Sequence, residues 1–361
     1  MRAVLPCPPG AETLGQRMVA QLIRVYSEGM TEEGPTRIDQ STFLQEVTLE
    51  AEQLRSPPET GTFRRKKVLP ILLFFATCLS TFFVGCCQWS PERAVMTSLM
   101  EFEGDLTLIR RMVLVNWEQG LTFMACLMGI LLAHEMGHFI GTLIYRIPAS
   151  FPIFLPFPLS PLGTFGAVIA MQANRADRKG IFDVGIAGPL AGLVVAIPLL
   201  FIGIQQLDLT SDPGTGFGFE SPLLVRWLMQ WYEIPGASGQ EYVVWCNQLN
   251  PCFAAAWFGL IMTAINMFPI GQLDGGHTVY TLFGKSSFWI ARGTLVLGIA
   301  FIVYLGTPTL AVMLVLLLLV GPDHPPTTDD TVELGWFRKV IGIGSLSIPF
   351  LCFPPLIFRL A

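Results

Sequence analysis

The chain has 361 residues, 52% of them hydrophobic and only 14% charged, with a formal net charge of −5 and a mean hydropathy of +0.55. So apolar and charge-poor a composition excludes an ordinary soluble globule and assigns the chain to the membrane class. The basic residues fall in short clusters beside apolar runs, so there is no broad basic field and nucleic acid is excluded as a partner.

Residues 1–63 hold nine acids, five arginines and the Pro57-Pro58 pair, with no apolar run long enough to span a bilayer. They read as a soluble cytoplasmic extension, lacking the charged start and apolar core of a secretory signal and too acidic for a transit peptide. The first spanning segment is expected from Val68 to about Trp89, directly after Arg64-Arg65-Lys66-Lys67. Further segments fall near 120–145, 181–206, 251–273, 288–305, 307–320 and 341–357, giving an all-α polytopic membrane protein of six or seven transmembrane helices. The membrane-embedded domain is expected over 64–340, with 341–361 a hydrophobic segment that supplies the last helix when seven are counted. Threading the spans alternately puts Arg146, Arg175, Arg178, Lys179, Lys285, Arg292, Arg338 and Lys339 on the side of the first cluster. The positive-inside rule makes that side, and the N-terminus, cytoplasmic.

Of the eight cysteines, none forms a CxxC pair, and Cys78, Cys86, Cys87, Cys126, Cys252 and Cys352 sit in or beside apolar segments as small hydrophobes. Residues 147–173 carry prolines at 148, 152, 156, 158 and 161 in an apolar context, followed by Gly163-Thr164-Phe165-Gly166. Prolines at this density cannot sustain a helix. Non-helical backbone at membrane depth must pack on protein or line a wet cavity, so a re-entrant loop or short strand near a site is expected.

Within the second span lies His134-Glu135-Met136-Gly137-His138, the pattern HExxH on a helix. Histidines four apart share one helix face and can reach one Zn²⁺, while Glu135 is placed to accept a proton from an adjacent water. Interhelical hydrogen bonding by these polar residues is the plain alternative. It is disfavoured, because three ionisable groups in one apolar helix are costly unless a metal compensates them. A catalytic zinc needs a third protein ligand. Downstream, Asn266-Met-Phe-Pro269-Ile-Gly271-Gln-Leu273-Asp274-Gly275-Gly276-His277 offers Asp274, aimed sideways by a bend at Pro269 and Gly271 and a tight turn at the glycine pair. His277 competes for the same role, and the residues by themselves leave both open. His324, in Asp323-His324-Pro325-Pro326, reads as a solvated loop residue.

HExxH in one span and N-x-x-P-x-x-x-L-D-G-G in a later one resemble the paired signature of the site-2 protease family of intramembrane zinc metalloproteases. Gly163-Thr-Phe-Gly166-Ala, Asp183-Val-Gly-Ile-Ala187-Gly188-Pro189-Leu-Ala-Gly192 and the Asp-His-Pro-Pro run extend the likeness over roughly 65–340. They most resemble the branch shared by bacteria and plastids. The resemblance implies His134, His138 and Asp274 as zinc ligands, Glu135 as general base and acid, and Asn266 as a group steadying the substrate or its oxyanion. It also implies that Gly163, Thr164, Phe165 and Gly166 belong to a strand-like element that pairs with an extended substrate. Gly271 departs from the family, where a second proline is common, and the loop near 207–250 is too short to hold the PDZ domain of several bacterial members.

The activity implied is hydrolysis of peptide bonds in or near transmembrane segments of membrane-anchored or signal-peptide-like substrates, with Zn²⁺ as cofactor. Small residues over 185–192 would pack the third span tightly on the catalytic helix, and water would enter from the cytoplasmic side near Arg146 and Arg175. Two other classes compete: a membrane zinc or ion transporter, in which Glu135 would have no special purpose, and a non-catalytic protein whose structural metal His277 would close as fourth ligand. The expected location is a bacterial inner membrane, with a plastid membrane as the alternative.

Overall fold

Nineteen residues without a charge, Val68–Cys86, form helix α1, with Pro70 in the first turn, where its missing N–H breaks no helical bond. The structure, a computed structural model, describes residues 67–101, 105–210, 217–234, 242–306, 321, 323–325, 327–354 and 358–360. The chain divides between Phe63 and Arg64, and the N-terminal extension lies outside the described residues. Short helices α2 (Pro91–Glu101) and α3 (Thr107–Val115) lead into α4 (Trp117–Ile144), which crosses α1 where Gly85 meets Gly120. A Cβ on Gly85 would stand 2.8 Å from Gly120 Cα, so the two backbones touch without side chains between them.

The proline-rich stretch forms two antiparallel strands, β1 (Ile153–Pro156) and β2 (Thr164–Val168), with Phe154 opposite Ala167. Ser80 Oγ in the middle of α1 donates to Gly163 O at 2.5 Å, and Phe154 stacks edge-on against Phe74. Gly163, at φ +78°, lies so close that a Cβ would be 2.7 Å from Thr81 Cα.

Helix α5 (Arg178–Gln205) is capped by Asp177, whose carboxylate accepts from Gly180 N at 2.7 Å. The region 207–250, read as an outer loop, contains strand β3 (Phe217–Glu220), helix α6 (Leu223–Trp231) and strand β4 (Val243–Trp245). Helix α7 (Pro251–Asn266) starts from Asn250, which accepts from Phe253 N at 2.9 Å and donates to Gly203 O at 2.8 Å, so α7 begins where α5 ends. The core gathers around α7, where Phe253, Trp257, Phe258 and Leu260 are buried with Phe123 and Leu127 of α4 and Leu200 and Ile204 of α5.

Then follow α8 (Asp274–Phe283), α9 (Ser287–Leu305), α10 (Trp336–Ser345), α11 (Ile348–Cys352) and strand β5 (Phe358–Leu360), which pairs antiparallel with β3.

Among the described residues, four helical stretches are long and apolar enough to cross a bilayer: Val68–Cys86, Trp117–Ile144, Arg178–Gln205 and Asp274–Tyr304. The fourth comprises α8 and α9 and is broken at Gly284, whose φ is +55°. Two expected spans differ from this. The segment 251–273 is helical only to Asn266, because Met267–Leu273 turns away through Pro269 and the positive-φ Gly271. The segment 307–320 lies outside the described residues. The segment 341–357 holds the second half of α10 and all of α11, two helices each too short to span alone, with a break before Ile348-Pro349.

The strands also qualify the all-α expectation. The sheet β4-β3-β5 joins residues more than a hundred positions apart, a pairing that no local periodicity announces.

Candidate metal centre

His134 and His138 project from one face of α4, one turn apart, and Asp274 opens α8 directly after the bend at 267–273. Their ligand atoms form a nearly equilateral triangle. His134 Nε2 and His138 Nε2 are 3.2 Å apart, and Asp274 Oδ2 stands 3.4 Å from the first and 3.3 Å from the second. Bonds of about 2.0–2.1 Å at the tetrahedral angle would separate zinc ligands by about 3.3–3.4 Å, so the triangle has the edge length of a three-ligand zinc site. Asp274 Oδ2 is buried with no hydrogen-bond partner. A buried carboxylate oxygen left so costs several kcal/mol, on the order of that for a lost charged hydrogen bond, and a cation at the triangle relieves it. The donor set and the orphaned oxygen both fit a zinc ion.

Glycines of α5 shape the seats of the histidines. A Cβ on Gly188 would lie 2.1 Å from His138 Nε2, one on Gly192 3.2 Å from His134 Nδ1, and one on Gly185 2.9 Å from His277 Cβ. Three glycines thus present bare backbone to three imidazoles, a sharper role than helix packing alone. His138 Nδ1 donates to Val184 O at 2.8 Å, which leaves Nε2 with its lone pair facing the triangle.

Glu135 is buried next to His134 on the same turn. Asn266, the last residue of α7, places Nδ2 3.1 Å from His134 Nε2, at the rim of the triangle. The glycine pair does not form the turn expected of it. Gly275 and Gly276 lie in the first turn of α8, where Cβ atoms would collide with Met267 O at 2.1 Å and Gly271 O at 2.3 Å. They admit the returning chain, while Gly271 at φ +55° makes the bend. Proline cannot adopt that φ, so the bend differs from one built on a second proline.

His277 is not part of the triangle. It is buried, and its Nδ1 lies 2.6 Å from Nε2 of His324. His324 is therefore not a solvated loop residue: it is half-buried, stacked on Tyr280 at 4.2 Å between ring centroids. The Asp-His-Pro-Pro run is polar in sequence, and the packing of His324 on His277 and Tyr280 of α8 follows only from the return of the chain. A cavity of about 300 Å³ beside the Asp274 turn is lined by Pro269, Gly271, Gly276, Tyr280, Asp323 and His324, among others. Arg146 and Arg175 do not line it.

Of the strand residues, Thr164 is buried, with Oγ1 donating to Leu155 O at 2.8 Å, and Phe165 is exposed and stacked on Phe157. Gly166, at φ +98°, faces Met262, one turn before Asn266, so β2 passes close to the helix end that reaches the triangle.

A family model described as Peptidase family M50 matches residues 122–305. A protein named probable zinc metalloprotease EGY1, chloroplastic, from Arabidopsis thaliana is 30% identical over 243 residues, covering 63% of this chain and 41% of that protein. Its namesake from Oryza sativa subsp. japonica is 27% identical over 351 residues, covering 93% of this chain and 57% of that protein. Probable zinc metalloprotease EGY2, chloroplastic, from Arabidopsis thaliana is 29% identical over 165 residues, 44% of this chain and 28% of that protein. The chain thus spans about half the length of the first two curated relatives, and no solved structure matches it.

Proposed function

The chain belongs to peptidase family M50, the site-2 proteases, and from that premise we propose that it is an intramembrane zinc metalloprotease. It would hydrolyse peptide bonds in or near the transmembrane segments of membrane-anchored proteins. The observation that carries this reading is the triangle of His134, His138 and Asp274 with Glu135 buried beside it.

His134, His138 and Asp274 would hold the zinc, which would supply a Lewis acid for the scissile carbonyl and lower the pKa of a water. Glu135, buried beside His134, would take a proton from the attacking water and return it to the nitrogen of the leaving amine. Asn266 presents its amide N–H groups at the rim, where they can hold a substrate carbonyl or the oxygen that becomes negative. Gly163, Thr164, Phe165 and Gly166 offer an extended segment for strand addition. The edge of β2 away from β1 has no strand partner among the described residues.

The proposed topology has six or seven crossings. Arg178 Nε donates to Thr281 O at 2.7 Å, so α8 ends beside the start of α5, while α7 begins beside its end. The helices α7 and α8 therefore act together as one broken crossing, with the non-helical bend at the metal. Likewise Arg338 of α10 bonds Asp183 near the start of α5, and β5 pairs with β3 beyond its end, which supports reading α10 and α11 as parts of a kinked last crossing. On this reading residues 64–361 form one membrane unit, and the proline-rich hairpin is a re-entrant element. The cavity beside the Asp274 turn supports water entry along α8.

A transporter would have no use for Glu135, and a closed structural site is disfavoured because His277 Nδ1 bonds His324. The names of the relatives place those proteins in chloroplasts, which favours a plastid membrane over a bacterial inner membrane.

The test is cleavage of a reporter transmembrane segment by the purified protein in lipid, beside Glu135→Gln, with zinc determined in both. Cleavage by the wild type, and a variant that keeps zinc and does not cut, is the expected result. Tightly held zinc in both, with no cleavage of a panel of destabilised helices, overturns the reading.

A further inference from the structure

The face between α4 and α5 is smooth. A Cβ on Gly137 would lie 2.5 Å from Ala187 O, and one on Gly141 3.0 Å from Val184 Cγ2, so α4 and α5 approach closely beside the metal triangle. Glycine contacts of this kind let helices approach closely. Register matters here because the carbonyl of Val184, on α5, must meet Nδ1 of His138, on α4, at 2.8 Å.

A polar lock stands at the same turn. Asp183, the residue before Val184, accepts from Arg338 twice, Nε to Oδ1 at 2.8 Å and Nη2 to Oδ2 at 2.8 Å. Its Oδ2 also accepts from the hydroxyl of Tyr145. Tyr145 caps the C-terminus of α4, seven residues or about two turns beyond His138. Arg338 comes from α10, outside the region 122–305 that the family model covers. Helix α10 is itself held against α5 and α8, since a Cβ on Gly342 would lie 2.7 Å from the buried Phe182 and 3.1 Å from Leu282. One carboxylate thus joins the helix of the ligand His138, the helix of its supporting carbonyl, and a C-terminal helix.

Resting on the reading of His138 as a metal ligand, we propose that Asp183, clamped by Arg338 and Tyr145, is a positioning residue that fixes the Val184 carbonyl on His138 and so sets the metal affinity of the site. The bidentate geometry is what a planar guanidinium supplies and a point-like ammonium does not. Arg338→Lys keeps the charge but loses the fork, so it restores only part of the effect.

The experiment uses the full chain in lipid and two readouts. One is the rate at which Zn²⁺ is lost to a chromophoric chelator, together with the absorption spectrum of the Co²⁺-substituted protein. The other is kcat and KM on the reporter segment. Arg338→Gln and Asp183→Asn should lose metal about 10- to 100-fold faster, as expected when an outer partner of a ligand is removed. Their Co²⁺ spectra should shift and kcat should fall with KM little changed, and Arg338→Lys should lie between them and the wild type. If these variants melt at lower temperature yet keep the wild-type metal loss rate and spectrum, the pair is a structural tie only and the proposal fails. Should Arg338→Gln not fold, Tyr145→Phe, which removes one of the three hydrogen bonds, carries the test: several-fold faster metal loss supports the proposal and an unchanged rate overturns it. The metal readout needs no substrate, so a wild type that binds zinc and cuts nothing would sink the protease reading and leave this one to be decided separately.

Discussion

Gly188 stands where a methyl group would collide with Nε2 of His138, 2.1 Å away. The ring is held from its other side by Val184 O and cannot swing clear without giving up that bond. Gly188→Ala should therefore cost at least about tenfold in zinc affinity, a typical loss when a ligand's support is disturbed. Zinc content after dialysis against a weak chelator checks this, and a variant that keeps full zinc and full cleavage would show that the glycine seat is dispensable. His324 allows a prediction in pH. Burial, the larger cause, holds its imidazole below the ordinary pKa. The unfolded chain then binds the proton more readily, so this contribution to stability is complete above the ordinary value of about 6.5 and is lost as pH falls from there through the lower folded value. The melting temperature of the wild type should drop between pH 7.5 and 5.5, and His324→Gln should drop less; equal slopes would refute the assignment.

The interrupted helix α7–α8 and the β1–β2 hairpin do what uninterrupted helices in a bilayer cannot. A continuous helix satisfies its own backbone and offers no carbonyl or amide to a substrate, whereas the bend at 267–273 turns Asp274 into the triangle and the hairpin leaves an extended edge nearby. Gly163 anchors that hairpin on α1. Gly163→Ala must bear a φ of +78° and a Cβ 2.7 Å from Thr81 Cα, so a loss of ~1–3 kcal/mol in stability is expected from the strain, read from thermal unfolding in detergent. Strand addition also makes a prediction about substrates, which must unwind locally to be paired. Reporter helices carrying a central Gly-Pro pair should be cut several-fold faster than all-leucine ones, and equal rates would remove the hairpin from the mechanism.

Across the molecule, the proposed topology puts the two ends of α5 on the two sides of the membrane. The start of α5 lies near Thr281, Arg338 and Thr328, and its end near Asn250. Cysteines introduced as Thr328→Cys and Asp208→Cys should react with a membrane-impermeant maleimide from opposite sides of sealed vesicles. Labelling of both from one side would contradict the topology. The C-terminal part is tied into the fold: Ile348 and Cys352 enter the main core, and β5 completes the sheet of β3 and β4.

Much of this was legible in order along the chain. Apolar runs announced α1, α4 and α5, because a span must be long and uncharged, and the four-residue spacing of His134 and His138 was enough to put two imidazoles on one face. The proline density of 147–161 excluded helix there through the missing N–H groups alone. The sequence by itself could not choose between Asp274 and His277, since both follow the bend within one helical turn, and the family resemblance favoured Asp274. The tertiary structure points Asp274 into the triangle and turns His277 to His324, a residue 47 positions away. It also decided that Gly185, Gly188 and Gly192 face three histidines, and that Arg338 reaches Asp183 across 155 positions. Periodicity and local sterics act over a few residues and can be read from the string; which helix faces which, and in what register, depends on contacts that exist only once the chain has closed on itself.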